Sequence, residues 1–277
     1  MQHPRHTPTL AAPIAVLLAL GVLFSTPRAL AGPFAPAAGQ PGSTAVAKTS
    51  SAFAGWATAV ADYQPGATVA NEWRTPARAL GPAVGDAFDI VSLGNQGRIT
   101  LTFGGTLYDG PGWDFAVFEN SINASFLELA FVEVSSNGST FVRFPAFSLT
   151  PAPVGGFGSL DPTNVDGLAG KYQQGYGTPF DLGLFAGANI PGFDRNAVTH
   201  VRLVDVKGDG SERDNWPASV GGPNPIYDVY PTVGSVGFDL DAVGVRYLEA
   251  APPPAPVPLP GTALLVLAPL ALLRRRC

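Results

Sequence analysis

The chain has one cysteine, and it is the last residue, Cys277. A body without cysteine can form no disulfide and no thiolate-based metal or redox centre, so its stability must rest on its core. Histidine is nearly as scarce. Of the three, His3 and His6 lie at the start, while His200 alternates with Val198, Arg202 and Val204 in a run that suits a packed strand histidine better than a base. No Gly-x-Ser-x-Gly, His-Glu-x-x-His or phosphate-loop motif occurs, which removes the best-marked hydrolase, zinc-protease and nucleotide-binding readings. Helical periodicity is close to absent, with short turns expected only near 75–80 and 182–188. No fixed-period repeat points to a propeller or solenoid.

What is abundant is glycine, with 33 residues, and proline, with 28, against a charged content of only 13%. That balance favours many short strands joined by tight turns. In RITLTF, Ile99, Leu101 and Phe103 fall on one face and Arg98, Thr100 and Thr102 on the other, as a half-buried strand requires. WDFAVFE, LELAFVEVS, TFVRFPAF, VTHVRLVDV and VGFDLDAVGVRY are further β-rich runs. Asn137-Gly138 between two of them marks a hairpin turn, so 127–139 and 140–147 should pair antiparallel. The Gly/Pro-rich stretch 149–192 is too long for an idle loop and should carry function or cap an open end. The fold expected is all-β, an antiparallel β-sandwich of jelly-roll type over residues 52–248.

The flanks read differently. Ile14–Phe24 is an apolar run of 11 residues after Arg5, and Ala29-Leu30-Ala31 offers the small-x-small pattern that signal peptidase accepts, so 1–31 is expected to be a signal peptide. Residues 32–51 are small and Pro/Gly-rich and should form a flexible leader, and 249–256 a Pro-rich linker. Between them, 32–248 holds 20 acidic and 11 basic residues, a net charge of −9 that disfavours nucleic acid as a partner.

The tail, 257–277, has three parts: Val257-Pro258-Leu259-Pro260-Gly261, then 12 apolar or small residues, then Arg274-Arg275-Arg276. Twelve residues are too few for a permanent span of roughly 20, so a short hydrophobic helix inserted transiently into the membrane, arginines inward, is expected. This tail resembles the PEP-CTERM sorting signal of Gram-negative bacteria in its Val-Pro-Leu-Pro variant. Leu259 stands where glutamate is commoner, and Cys277 follows the arginines. The resemblance implies processing by an exosortase and delivery to the outer surface or an exopolysaccharide matrix. The body is similar to an uncharacterised domain of such surface proteins, through IVSLG (90–94), DGPGWDFAVFEN (109–120), ELAFVEVSSNG (128–138), LAGKY (168–172), GTPFDL (177–182) and GFDLDAVGV (237–245). That resemblance implies a surface β-domain with no assigned catalysis.

Chemistry is sought first among the acids, since calcium takes six to eight oxygen ligands and several carboxylates crowd Gly-rich corners. The candidate clusters are Asp109, Asp114, Glu119 and Asn120; Asp205, Asp209, Glu212 and Asp214; and Asp239 with Asp241, expected on the strand face that carries Val243 and Val245. The bland alternative is turn capping by Asx hydrogen bonds, and no EF-hand loop is present. Carbohydrate is the second ligand considered, with Trp113, Trp216 and Tyr227 as loop aromatics that could meet a sugar ring. A hydrolase would need two carboxylates, for which Glu119 and Glu133 are available. The reading is a non-catalytic surface or matrix protein binding calcium, carbohydrate or both, with a hydrolase or a protein-binding adhesin as alternatives.

Overall fold

A computed structural model of the chain describes residues 31–251. The expected signal peptide and sorting tail lie outside those residues, apart from Ala31. Among the described residues, no helix is long and apolar enough to cross a membrane. The strands are β1 (Val46–Ala47), β2 (Gly55–Gln64), β3 (Val91–Ser92), β4 (Arg98–Leu107) and β5 (Phe115–Glu119). Next come β6 (Ala130–Ser135), β7 (Val142–Arg143), β8 (Phe147–Ser148), β9 (Val165–Asp166) and β10 (Tyr176–Phe180). The last are β11 (Val198–Asp205), β12 (Asp209–Arg213), β13 (Pro225–Tyr227), β14 (Asp239–Val245) and β15 (Leu248–Ala250). Among the described residues helix is confined to short 3₁₀ turns, two of them at Pro76–Ala79 and Leu182–Phe185 where turns were expected.

The fold is all-β. Eleven strands form one antiparallel sheet whose main path runs β1-β10-β5-β14-β2-β4-β11-β6-β7, with β15 on β4 and β3 on β14. The sheet curls, and one apolar cluster draws on both its halves: Phe115, Val117 and Val243 from one, Leu101, Val132 and Leu203 from the other. β2 joins the halves, since its first residues pair with β14 and the rest with β4. Two register shifts along β2 let it bend there. Ile99, Leu101 and Phe103 enter the core as their alternation requires. The expected hairpin forms as well, with Val134 opposite Val142 and Glu133 opposite Arg143.

Two boundaries move. Residues 32–51, expected as a flexible leader, belong to the domain: β1 adds to the sheet edge on β10, and Gly32 and Phe34 donate backbone hydrogen bonds to Thr163. Few side chains there can be buried, so backbone pairing holds the segment instead. At the other end β15 takes Glu249 and Ala250 from the expected linker and pairs them with Thr106 and Gly105. The stretch 149–192 is no single loop. It supplies β9 and β10, buries Leu160, Val165 and Leu168 in a second apolar cluster, and projects Phe157 outward.

Candidate functional site

Most of the acids singled out in the sequence are engaged with backbone N–H groups. Asp205 accepts from Gln96 N (2.9 Å) and Phe238 N (2.7 Å), and Asp241 from Val84 N (2.9 Å) and Gly85 N (2.8 Å). Asp214 accepts from Ser148 N (3.0 Å) and Asn224 N (2.6 Å), and Asp114 from Gly110 N (2.8 Å) and Leu182 N (2.6 Å). Each carboxylate thus ties together segments far apart in sequence and satisfies buried donors that would otherwise be unpaired. The glycines beside them give room: a β-carbon on Gly237, itself at φ +67°, would overlap the Asp205 carboxylate. The second expected calcium cluster therefore does not converge. Its Asp209 pairs with Lys207 at 2.7 Å, which holds its carboxyl down at about 2, and its Glu212 accepts from Gln96 Nε2.

Asp239 and Asp241 also depart from expectation. A register shift between Leu240 and Ala242 breaks the alternation of β14, so that Leu240, not Asp239 or Asp241, shares the core with Val243 and Val245. The first cluster converges in part. Carboxylate oxygens of Asp109, Asp114 and Asp181 lie within 4.8 Å of one another, the one group of three acids among the described residues so arranged. Asp181, at the end of β10, was missed in sequence because it comes from another segment. This trio could hold a cation, but Arg195 bonds Asp109, backbone donors fill Asp114, and Asp181 caps Gly183 N at 2.7 Å. Burial, countered by those backbone donors, pushes Asp114 up to about 6.

Three further acids are Glu119, which accepts from Ser121 N at 2.7 Å, Glu128 and Asp239. All are buried, and Glu119 Oε1 and Glu128 Oε1 have no hydrogen-bond partner. Burial raises Glu119 and Glu128 well above the ordinary carboxylate range; Asp239 adds to both, and Glu119 and Asp228 add further to Glu128. Asp239 is pushed up to about 7 by burial, against hydrogen bonds from Ser92, Ser235 and Asn120. The buried ammonium of Lys171 does not serve them, since its carboxylate neighbour is Asp166 at 3.7 Å.

Glu128 and Asp239 line a cavity of about 230 Å³, together with Asn120, Ser121, Thr232 and Ser235. Its mouth is apolar. Phe157, Val233, Phe88 and Ile122 are 93%, 79%, 71% and 66% exposed, the four most exposed large apolar side chains among the described residues, and all four line this one cavity. Trp73 stacks on Phe88 with ring centroids 6.5 Å apart. Scattered single apolar residues on a surface need no explanation, but four gathered around one concavity make it the candidate binding site.

The aromatics proposed for sugar lie elsewhere. Trp113 packs on Phe53 and under Arg246, Trp216 meets Phe147 edge-on, and the Tyr227 ring covers Gly210. The pair Glu119 and Glu133 is not brought together, because Glu133 stands on β6 bonded to Arg143 (2.7 Å) and Arg202 while Glu119 is buried at the end of β5. Of the cavity's key residues, Glu128 and Phe157 had legible signals. Glu128 sits between Leu127 and Leu129 just ahead of β6, in an apolar run buried on both sides, and Phe157 sits among Gly155, Gly156 and Gly158 with no neighbours to bury it. Compared with known protein families, curated proteins and solved structures, the chain matches none.

Proposed function

We propose that this chain is an exported, non-catalytic binding protein of the bacterial surface or exopolysaccharide matrix, whose cavity between the 3₁₀ turn at Asn71–Trp73 and the Phe157 loop holds a sugar residue of a polysaccharide. The address rests on the apolar N-terminal run and on the tail that resembles a PEP-CTERM signal. The observation that carries the ligand is the pairing of an aromatic and aliphatic mouth with a floor of oxygen acceptors. Sugars have both faces: C–H groups that pack on rings, and hydroxyls that donate to carboxylates. Glu128 Oε1, buried without a partner, is an acceptor free for such a donor.

A glycan array or titration against the producer's own polysaccharide tests this reading. Phe157→Ala, which removes a side chain in contact with almost nothing of its own protein, should weaken binding about fivefold, as loss of one aromatic contact worth about 1 kcal/mol implies. It should leave the unfolding midpoint unchanged. Absence of glycan binding would overturn the proposal, and retained binding by a surface protein alone would favour an adhesin. Release of shortened saccharide that stops in Glu128→Gln would favour a hydrolase.

A further inference from the structure

The chemistry of the cavity floor narrows the ligand. Glu128 and Asp239 both line it, and among the described residues no Lys, Arg or His does. Two further acids, Glu119 and Asp228, add their repulsion to Glu128 from behind. Without a countercharge such buried carboxyls keep their protons, and a neutral ligand would not draw them off. A cationic ligand would.

The walls favour an organic cation over a metal ion. Trp73, Phe88, Phe126 and Phe157 contribute rings to the lining, and ring faces attract ammonium groups. The floor acids are not gathered for chelation: among the described residues, only Asp109, Asp114 and Asp181 bring three carboxylate oxygens within 4.8 Å of one another. An ammonium group has three N–H donors, so it can reach separate acceptors such as Glu128, Asp239 and the Asn120 side chain without drawing them onto one point.

Resting on the sugar-binding reading above, we propose that the cavity is specific for an amino sugar with a free ammonium group, such as a de-N-acetylated residue of an extracellular polysaccharide. Glu128 and Asp239 take the ammonium, and the rings of Phe157, Phe88 and Trp73 take the apolar face of the pyranose.

The test titrates the purified chain at pH 6–7 with oligosaccharides of equal length built from glucosamine, N-acetylglucosamine or glucose, each with calcium and with excess chelator. The glucosamine oligomer should bind at least tenfold more tightly than the other two, with no calcium requirement. Glu128→Gln combined with Asp239→Asn should abolish that preference while the protein still unfolds cooperatively. That double variant also removes a confound, because a polycation drawn merely to the net negative body would lose little when two of 20 acids are changed. Equal or tighter binding of the acetylated or neutral oligomer would overturn the ammonium assignment and leave the sugar site standing. Binding that a chelator abolishes would also overturn it, in favour of a metal. No binding of any oligomer would overturn both.

Discussion

At the scale of single residues, aspartate and glutamate do different work in this chain. Asp114, Asp205, Asp214 and Asp241 are buried acceptors for backbone N–H groups of distant loops, and in a body without disulfides they act as its cross-links. Replacing Asp205 by Ala strands the N–H groups of Gln96 and Phe238, at about 1–3 kcal/mol for each buried donor. A denaturant titration should therefore show a loss of about 2–6 kcal/mol, whereas Asp209→Ala, on a partly exposed pair with Lys207, should barely move the curve. Sequence alone could not sort these roles, because Asp next to Gly looks the same whether it caps its own turn or reaches another. Gly237 is the instructive case: its lack of a side chain serves Asp205, which is 32 positions away.

At the scale of elements, alternation was the readable signal wherever a strand is regular. β4, the β6–β7 hairpin and the paucity of helix follow directly from it. It failed at β14, where one extra residue near Asp241 reverses the phase, and a bulge leaves no mark in composition. Composition misled at the N-terminal segment, since 32–51 is held by backbone pairing that Pro/Gly content cannot reveal. The consequence is measurable by hydrogen exchange. The Lys48 amide, bonded to Gly175 O at 3.0 Å beside the pair Val46–Gly177, should be protected like other edge-strand amides. Exchange at the free-chain rate would return this segment to the role of a loose leader. The cavity was the least legible part. Its mouth gathers Trp73, Phe88, Ile122, Phe157 and Val233 from separate loops, and their convergence exists only after the sheet has curled.

At the scale of the whole molecule, the body carries a net charge of −9 and places part of that charge inside. Glu119, Glu128 and Asp239 have folded-state values raised above their unfolded ones, with Asp205 and Asp228 among the acids facing them. Over the window from the ordinary carboxylate range up to about 7 for Asp239, the folded state binds more protons than the unfolded one. Stability must therefore fall as pH rises through that window, and the full cost is present above it. A fold selected for stability alone would not keep Glu128 and Asp239 against an open cavity, and departures of this kind gather at functional sites. On the proposed reading Glu128 and Asp239 are held for a ligand and not for the fold. Thermal unfolding of Asp239→Asn beside the parent chain, without ligand, at pH 4 and pH 8, is the measurement that decides. The midpoints should coincide at pH 4, and the variant's should be higher at pH 8, by about 2–4 °C for each kcal/mol of relieved repulsion. A variant that unfolds at lower temperature than the parent at pH 8 would show Asp239 to be a structural residue and would overturn the ligand reading.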